Sequence, residues 1–245
     1  MNRPIVISLY SPLPGDKGTQ EQNKALRLET TVDDLLKTLE SQPAEYAVKQ
    51  KAPAWAPFDY GKNTRLSAHA VSACALVYDI DDPDYDYERL LGALERLKWV
   101  YVLHDTYTDY CARLVIPTSR DVTPEEYPSL WLHTAATLGL KKEEGHDESC
   151  KDLARLFFIP SCAPGSERSP GARGGSILLD PSRKQEEKGH DLTPLREDIG
   201  RYKGKSEYKS RRLELLDGTL VVPKGGREPL LHPPLGVLSQ MRHAP

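Results

Sequence analysis

An α+β fold organised around one β-α-β-β-α-β unit is what this sequence predicts, and three observations predict it. The run Ala75-Leu-Val-Tyr-Asp-Ile-Asp-Asp82 stays apolar until it meets carboxylates at alternate positions, as a buried strand does on leaving a core. A leucine stripe at positions 90, 91, 94 and 97 has helical spacing and separates that strand from a second at Trp99 to His104. Thr123-Pro124-Glu-Glu126 has the Thr, the Pro and the third-position Glu of a capping box, opening a helix that runs to about Leu138 and stops at Gly139.

The other elements follow in order. Pro4 to Tyr10 reads as a strand, and Thr31-Val-Asp-Asp-Leu-Leu-Lys-Thr-Leu-Glu40 as a helix with Thr31 as its cap. Residues 51–66 are too rich in Pro and Gly for regular structure and are expected to form an ordered loop pinned by Trp55, Phe58 and Tyr60. Tyr85 to Leu97 is the first helix of the unit, and a turn through Asp105 to Asp109 leads to a third strand at Tyr110 to Ile116, stopped by Pro117. Pro128 falls late for a first turn and is a candidate kink. Leu153 to Ile159, stopped by Pro160, is the expected fourth strand. The order is that of the ferredoxin-like or RNA-recognition-type unit (RRM-like). There the first strand is central, flanked by the third and fourth, with the second parallel to it at the edge. Asp79, Asp81, His104, Arg113, Asp152 and Arg155 are thereby expected at one end of the sheet. Unpaired charges at buried strand ends are costly, so a shared purpose is favoured.

With 245 residues, 38% of them hydrophobic, the chain can hold a sizeable core. There is no apolar run of about 18 residues and no signal-like start, so the expectation is a cytoplasmic protein without membrane contact. Cys74, Cys111, Cys150 and Cys162 lack C-x-x-C spacing, which argues against a zinc ribbon or a disulfide framework. His146 lies four before Cys150, but two ligands do not make a zinc site. The net charge is −3, yet residues 184–245 carry 12 Lys/Arg against 9 Asp/Glu. The expected division is a catalytic domain at 1–183, with an N-terminal α/β module over about 1–70 and the β-α-β-β-α-β unit over about 74–162, then a basic, Pro-containing tail at 184–245. In that tail Arg201, Lys203, Lys205, Lys209, Arg211 and Arg212 interleave with Tyr202 and Tyr208. Such a segment suits a phosphate backbone and its bases, or is a solvated tail.

Asp79 and Asp81, two residues apart on a strand, repel one another, and hard oxygen ligands of this kind suit Mg²⁺ or Mn²⁺. The alternative is turn chemistry at Asp82-Pro83-Asp84. With Asp152 they make three carboxylates, enough for two metal ions about 3.5–4 Å apart in phosphoryl transfer. Arg113, Arg155 and His104 suit a triphosphate, although Arg155 has Asp152 at i, i+3 as another partner and His104 could be a solvated loop-mouth histidine. No P-loop, dinucleotide fingerprint, H-E-x-x-H or G-x-S-x-G is present. An EF-hand from Asp79 fails at Asp84 and Leu90, where Gly and Glu are needed.

Four motifs in order carry a resemblance: Pro53-Ala-Trp-Ala-Pro57, Leu76-Val-Tyr-Asp-Ile-Asp81, Ala112-Arg-Leu-Val-Ile-Pro117 with Arg120, and Cys150-Lys-Asp-Leu-Ala-Arg155 with Phe157 to Ser161. Together, over about residues 45–165, they resemble phage- and plasmid-type replication proteins of the archaeo-eukaryotic primase superfamily. The resemblance implies that superfamily's fold, an N-terminal α/β module joined to an RRM-like unit. It also implies metal binding by Asp79, Asp81 and Asp152, and nucleotide contacts by Arg113, Arg155, His104 and Arg120. The family's second motif ends in His, where this chain has Cys111-Ala-Arg113. The expected activity is primer synthesis or extension on single-stranded DNA from nucleoside triphosphates, beside a separate helicase. The alternatives are a non-catalytic initiator or single-strand binder of the same fold, and a two-metal nuclease.

Overall fold

The computed structural model describes residues 2–10, 24–108, 111–166 and 168–182, and within them antiparallel sheets combine with three α-helices. The strands in chain order are β1 (Pro4–Tyr10), β2 (Leu26–Thr31), β3 (Ala44–Glu45), β4 (Ala54–Ala56), β5 (Phe58–Tyr60), β6 (Ala70–Ile80), β7 (Tyr101–Asp105), β8 (Ala112–Val122), β9 (Phe157–Phe158), β10 (Ser161–Cys162) and β11 (Ala172–Gly174). The helices are α1 (Val32–Glu40), α2 (Tyr87–Leu97) and α3 (Tyr127–Leu138). One sheet has the order β2-β1-β4-β9, the other β11-β7-β8-β6-β5, and β10 pairs in parallel with β3.

Local chemistry explains the helix ends. Thr31 caps α1 by accepting from the Asp34 amide at 3.2 Å, and the helix buries Val32, Leu35, Leu36 and Leu39. Asp86 caps α2 by accepting from the Arg89 amide at 3.0 Å, so the helix starts two residues later than its hydrophobic pattern suggests. The capping box before α3 is reciprocal: the Glu126 amide donates to Thr123 Oγ1 at 3.3 Å, and the Thr123 amide to Glu126 Oε2 at 3.1 Å. Pro128 lies within the first turn of α3, where no intrahelical N–H is required, and Gly139 ends the helix at φ 69°.

β6 is buried without interruption from Ala73 to Ile80, as expected of a strand covered on both faces. It pairs antiparallel with β8, which pairs antiparallel with β7, so β6 and β7 run parallel as expected. Tyr78 and Trp131 tie α3 to this strand: the Trp131 indole N–H donates to the Val77 carbonyl at 2.9 Å, and the Tyr78 hydroxyl to the Trp131 carbonyl at 3.1 Å.

Four expectations are corrected. Residues 51–66 are not irregular throughout, because Pro53 and Pro57 fall just outside β4 and β5, where no ladder N–H is asked of them. Trp55, Phe58 and Tyr60 are buried as anchors within those strands. β8 does not stop at Pro117 but continues to Val122, with the proline opposite Ala75 at the edge of a register shift and Val122 opposite Ala73. The fourth strand shrinks to Phe157–Phe158 and joins β4 in the other sheet. The Tyr60 hydroxyl and Arg65 take the carbonyls of Leu153 (2.6 Å) and Ala154 (2.8 Å), so no neighbouring strand pairs with them there. β6 is flanked instead by β5 near its start and by a lone bridge from Ile80 to His146 at its end. β7 is likewise not an edge, since β11 pairs outside it. The tail from residue 184, with its basic segment, lies outside the described residues.

Thr123→Ala removes one half of the capping box and is expected to cost about 1 kcal/mol, read as a lower urea midpoint with an unchanged slope.

Candidate active site

Strand register builds the centre of the site. Arg113 on β8 lies opposite Asp79 on β6 and opposite His104 on β7, so three neighbouring strands carry His, Arg and Asp in one row. Directly opposed residues of antiparallel strands share a face. Arg113 Nε donates to Asp79 Oδ1 at 2.6 Å and Nη2 to Oδ2 at 3.2 Å, and both side chains are less than a tenth exposed. The guanidinium is completed by Nη1 on the Phe158 carbonyl at 2.8 Å and by the Phe157 ring, 4.9 Å below it. Burial alone would raise the Asp79 carboxyl, but Arg113, with smaller help from Arg155 and His104, holds it below its ordinary value.

His104 is buried and its Nδ1 lies 2.7 Å from the Asp105 carbonyl, which requires Nδ1 to be the donor. In the neutral ring Nε2 is then an acceptor, and it has no hydrogen-bond partner among the described residues. Burial first, and the Arg113 charge second, push this imidazole down to about 4. Gly171 lies against it: a Cβ there would come within 3.0 Å of His104 Cβ and 2.9 Å of the Leu39 carbonyl oxygen.

The loop after α3 supplies the second carboxylate. Gly145, at φ 79°, brings the chain so close to Asp82 that a Cβ would sit 2.5 Å from its amide nitrogen. The Asp81 amide donates to the Gly145 carbonyl at 2.9 Å and the Asp147 amide to the Asp79 carbonyl at 3.0 Å. Ligand atoms of Asp79, Asp147 and Cys150 thereby lie within 4.8 Å of one another. Arg155 joins them, 2.8 Å from Asp147 Oδ2 and 3.9 Å from Asp79 Oδ2. Asp81, just past β6, is exposed; partial desolvation, then the charges of Asp79 and Asp147, raise its pKa against the opposing Cys111 thiol and Arg113. Asp81 lies beside the converging group without belonging to it, and the carboxylates of Asp79 and Asp147 are hard oxygen donors that fit Mg²⁺ or Mn²⁺. The buried Cys150 thiol, raised by burial and by Asp79, does not.

Of the residues singled out by sequence, Asp79, Arg113, His104 and Arg155 are brought together, with Asp81 beside them. Asp152 stands apart from the acid group: its Oδ1 accepts from Ser67 Oγ at 3.0 Å and from the Ala154 amide at 2.9 Å, shaping the loop. Arg155 accordingly pairs with Asp147 and not with Asp152 across i, i+3. Arg120 lies seven residues further along β8, about 23 Å at a normal strand rise, and is paired bidentately with Glu126. The turn reading of Asp82-Pro83-Asp84 also holds, since the Asp84 amide donates to Asp82 Oδ1 at 2.8 Å. Asp147 and Cys150 are the residues sequence reasoning missed. Asp147 and Asp152 flank the same short 3-10 turn, and nothing in their spacing says which one faces β6.

No protein-family model and no curated protein matches the chain. Among solved structures it is similar to the AEP domain (PP-N190) of the cyanophage S-2L primase-polymerase (PrimPol), at 14% identity over 74% of this chain and 85% of that chain, with a TM-score of 0.39. No described helix is long and apolar enough to cross a membrane.

Arg113→Met would leave Asp79 buried without its counter-charge and is expected to cost about 3–5 kcal/mol in urea unfolding. The double variant Asp79→Asn/Arg113→Met should recover part of that loss. His104 sets an acid dependence: its folded pKa of about 4 lies below the unfolded value of about 6.5. As pH falls through that window the unfolded chain takes up the proton first, so stability is lost, by an amount on the order of 3 kcal/mol. Asp79, held low, contributes its own loss only below the ordinary carboxylate range. His104→Asn should flatten the stability profile between about pH 6.5 and 4, measured as urea midpoints across that range.

Proposed function

We propose that this chain is a metal-dependent nucleotidyltransferase that makes or extends primers on a single-stranded DNA template in phage- or plasmid-type replication. The observation that carries the reading is the convergence of Asp79 and Asp147 within 4.8 Å of one another, faced by Arg155. The ordered motifs that resemble the archaeo-eukaryotic primase superfamily support it from the sequence side. Mg²⁺ or Mn²⁺ held by Asp79, Asp81 and Asp147 would supply the positive charge that activates a priming hydroxyl and offsets charge on a leaving pyrophosphate.

The chain's own groups do the rest. Asp147 takes the role of third carboxylate that the sequence assigned to Asp152. Arg155, with its side chain 38% exposed, is free to turn from Asp147 to the triphosphate, whereas Arg113 at 5% is fixed to Asp79 and sets the field around it. His104 presents a neutral Nε2 acceptor beside Arg113. We assign template contact to the basic residues between Arg201 and Arg212, catalysis to the domain ending near residue 183, unwinding to a separate helicase, and the whole to the cytoplasm.

One observation favours a second reading, a non-catalytic initiator or single-strand binder. Both oxygens of Asp79 accept from Arg113, the geometry of a finished ion pair. Primer synthesis on single-stranded DNA, with ribo- or deoxyribonucleoside triphosphates and Mg²⁺ or Mn²⁺, separates the readings. Asp81→Asn is the suitable variant, because Asp81 is exposed beyond β6 and its replacement leaves the buried Asp79–Arg113 pair in place. Incorporation is expected to fall roughly 100-fold or more; incorporation at the parent level would sink the assignment. Oligonucleotide binding indifferent to divalent metal, without incorporation, indicates the binder. Shortening of a labelled strand indicates a nuclease.

A further inference from the structure

We infer that His146 is a positioning residue: its ring, stacked on α3, holds Asp147 against Asp79, so ring packing more than strand pairing sets the geometry of the acid group. This rests on the proposed reading of that group as a divalent-cation site. The segment at residues 145–147 meets β6 through a single bridge, Ile80 to His146, and two backbone hydrogen bonds, Asp81 to Gly145 and Asp147 to Asp79. A contact so short is a weak register on its own.

The side chain of His146 supplies what the ladder does not. It is 5% exposed, and its ring lies 4.8 Å from that of Trp131 at an interplanar angle of 16°, and 5.7 Å from that of Tyr78. Tyr78 and Trp131 in turn stack at 4.8 Å and are locked to β6 by the hydrogen bonds to Val77 and from Tyr78 already described. The three rings therefore form one rigid body with the strand that carries Asp79. Asp147, the next residue after His146, inherits that rigidity. Its Oδ1 and Oδ2 accept from the Ser149 amide (2.9 Å) and hydroxyl (2.8 Å), which fixes the carboxylate once the backbone is placed. His146 Nε2 is buried without a partner among the described residues, so the stack uses the ring's shape and not that nitrogen. A phenyl ring should serve as well.

The test is Mn²⁺ titration of the full chain, with free ion followed by electron paramagnetic resonance, alongside thermal unfolding. His146→Ala is expected to weaken Mn²⁺ binding about tenfold, within the range of couplings between contacting residues. His146→Phe should keep the parent affinity at an equal or higher unfolding temperature, because it removes an unsatisfied buried nitrogen. The decisive arm is the double variant. In an Asp147→Asn background, His146→Ala should weaken binding no further, since its effect passes through Asp147. Parent affinity in His146→Ala, or an equal loss with and without the Asp147 carboxylate, overturns the inference while leaving the proposed function standing. Unchanged binding in Asp147→Asn itself overturns the cation site and this inference with it. Should His146→Ala not fold, His146→Leu against His146→Phe makes the same comparison: leucine fills volume without stacking, and equal affinity for the two overturns the role.

Discussion

Asp79 and Arg113 face one another across β6 and β8, almost shielded from water, and groups from both sheets keep that pair satisfied. Desolvating two charges costs several kcal/mol per ion in a protein interior, returned only with good geometry and full hydrogen bonding. Here the geometry is bidentate, and Nη1 of the same guanidinium donates to a carbonyl of β9, a strand of the other sheet. Phe157, on the same short strand, lies beneath the guanidinium. The ion pair thus joins β6 to β8 and, through one arginine, joins both sheets. That is why a two-residue strand can persist: β9 is held by a charge as well as by its ladder with β4.

The pair also organises the charges around it. Arg113, Asp79, Arg155 and Asp147 alternate in sign, each within ion-pairing distance of the next. The first two are buried and fixed, and the last two are partly exposed. Such a chain of charges stays nearly neutral while leaving its solvent end exchangeable, which is what a site must do if it is to trade a guanidinium for a cation or a phosphate. Asp81 adds negative charge at that open end, and its carboxyl is pushed up first by partial desolvation and then by the charges of Asp79 and Asp147.

Much of this was legible in the sequence wherever the cause was local or periodic. Thr31 and Gly139 mark helix ends by their own hydrogen bonding or dihedral freedom, and each does so in the structure, whereas Thr123 and Glu126 close a turn just before α3, which begins only at Tyr127. The row of His104, Arg113 and Asp79 was legible too, because a β-α-β-β order obliges those strand ends to meet. What escaped depends on distant competition. Leu153 to Ile159 has the composition of a strand, but Tyr60 and Arg65, about ninety residues earlier, claim its carbonyls. Asp147 and Asp152 look alike in sequence; ring stacking one residue away turns the first toward β6, and Ser67 draws the second off. Arg120 carries the right chemistry at the wrong end of an 11-residue strand.

Gly171 shows how narrowly the layer over His104 is dimensioned. Only a hydrogen atom fits between the carbonyl oxygen of Leu39 and the Cβ of His104, at 2.9 and 3.0 Å from where a methyl group would begin. The position acts as a spacer of no thickness. It lets the end of α1 settle onto β7 without a gap, and so keeps solvent from the imidazole below. The close packing over a buried histidine of the charged site therefore depends on a residue with no side chain, contributed by a segment that follows every other member of the site along the chain.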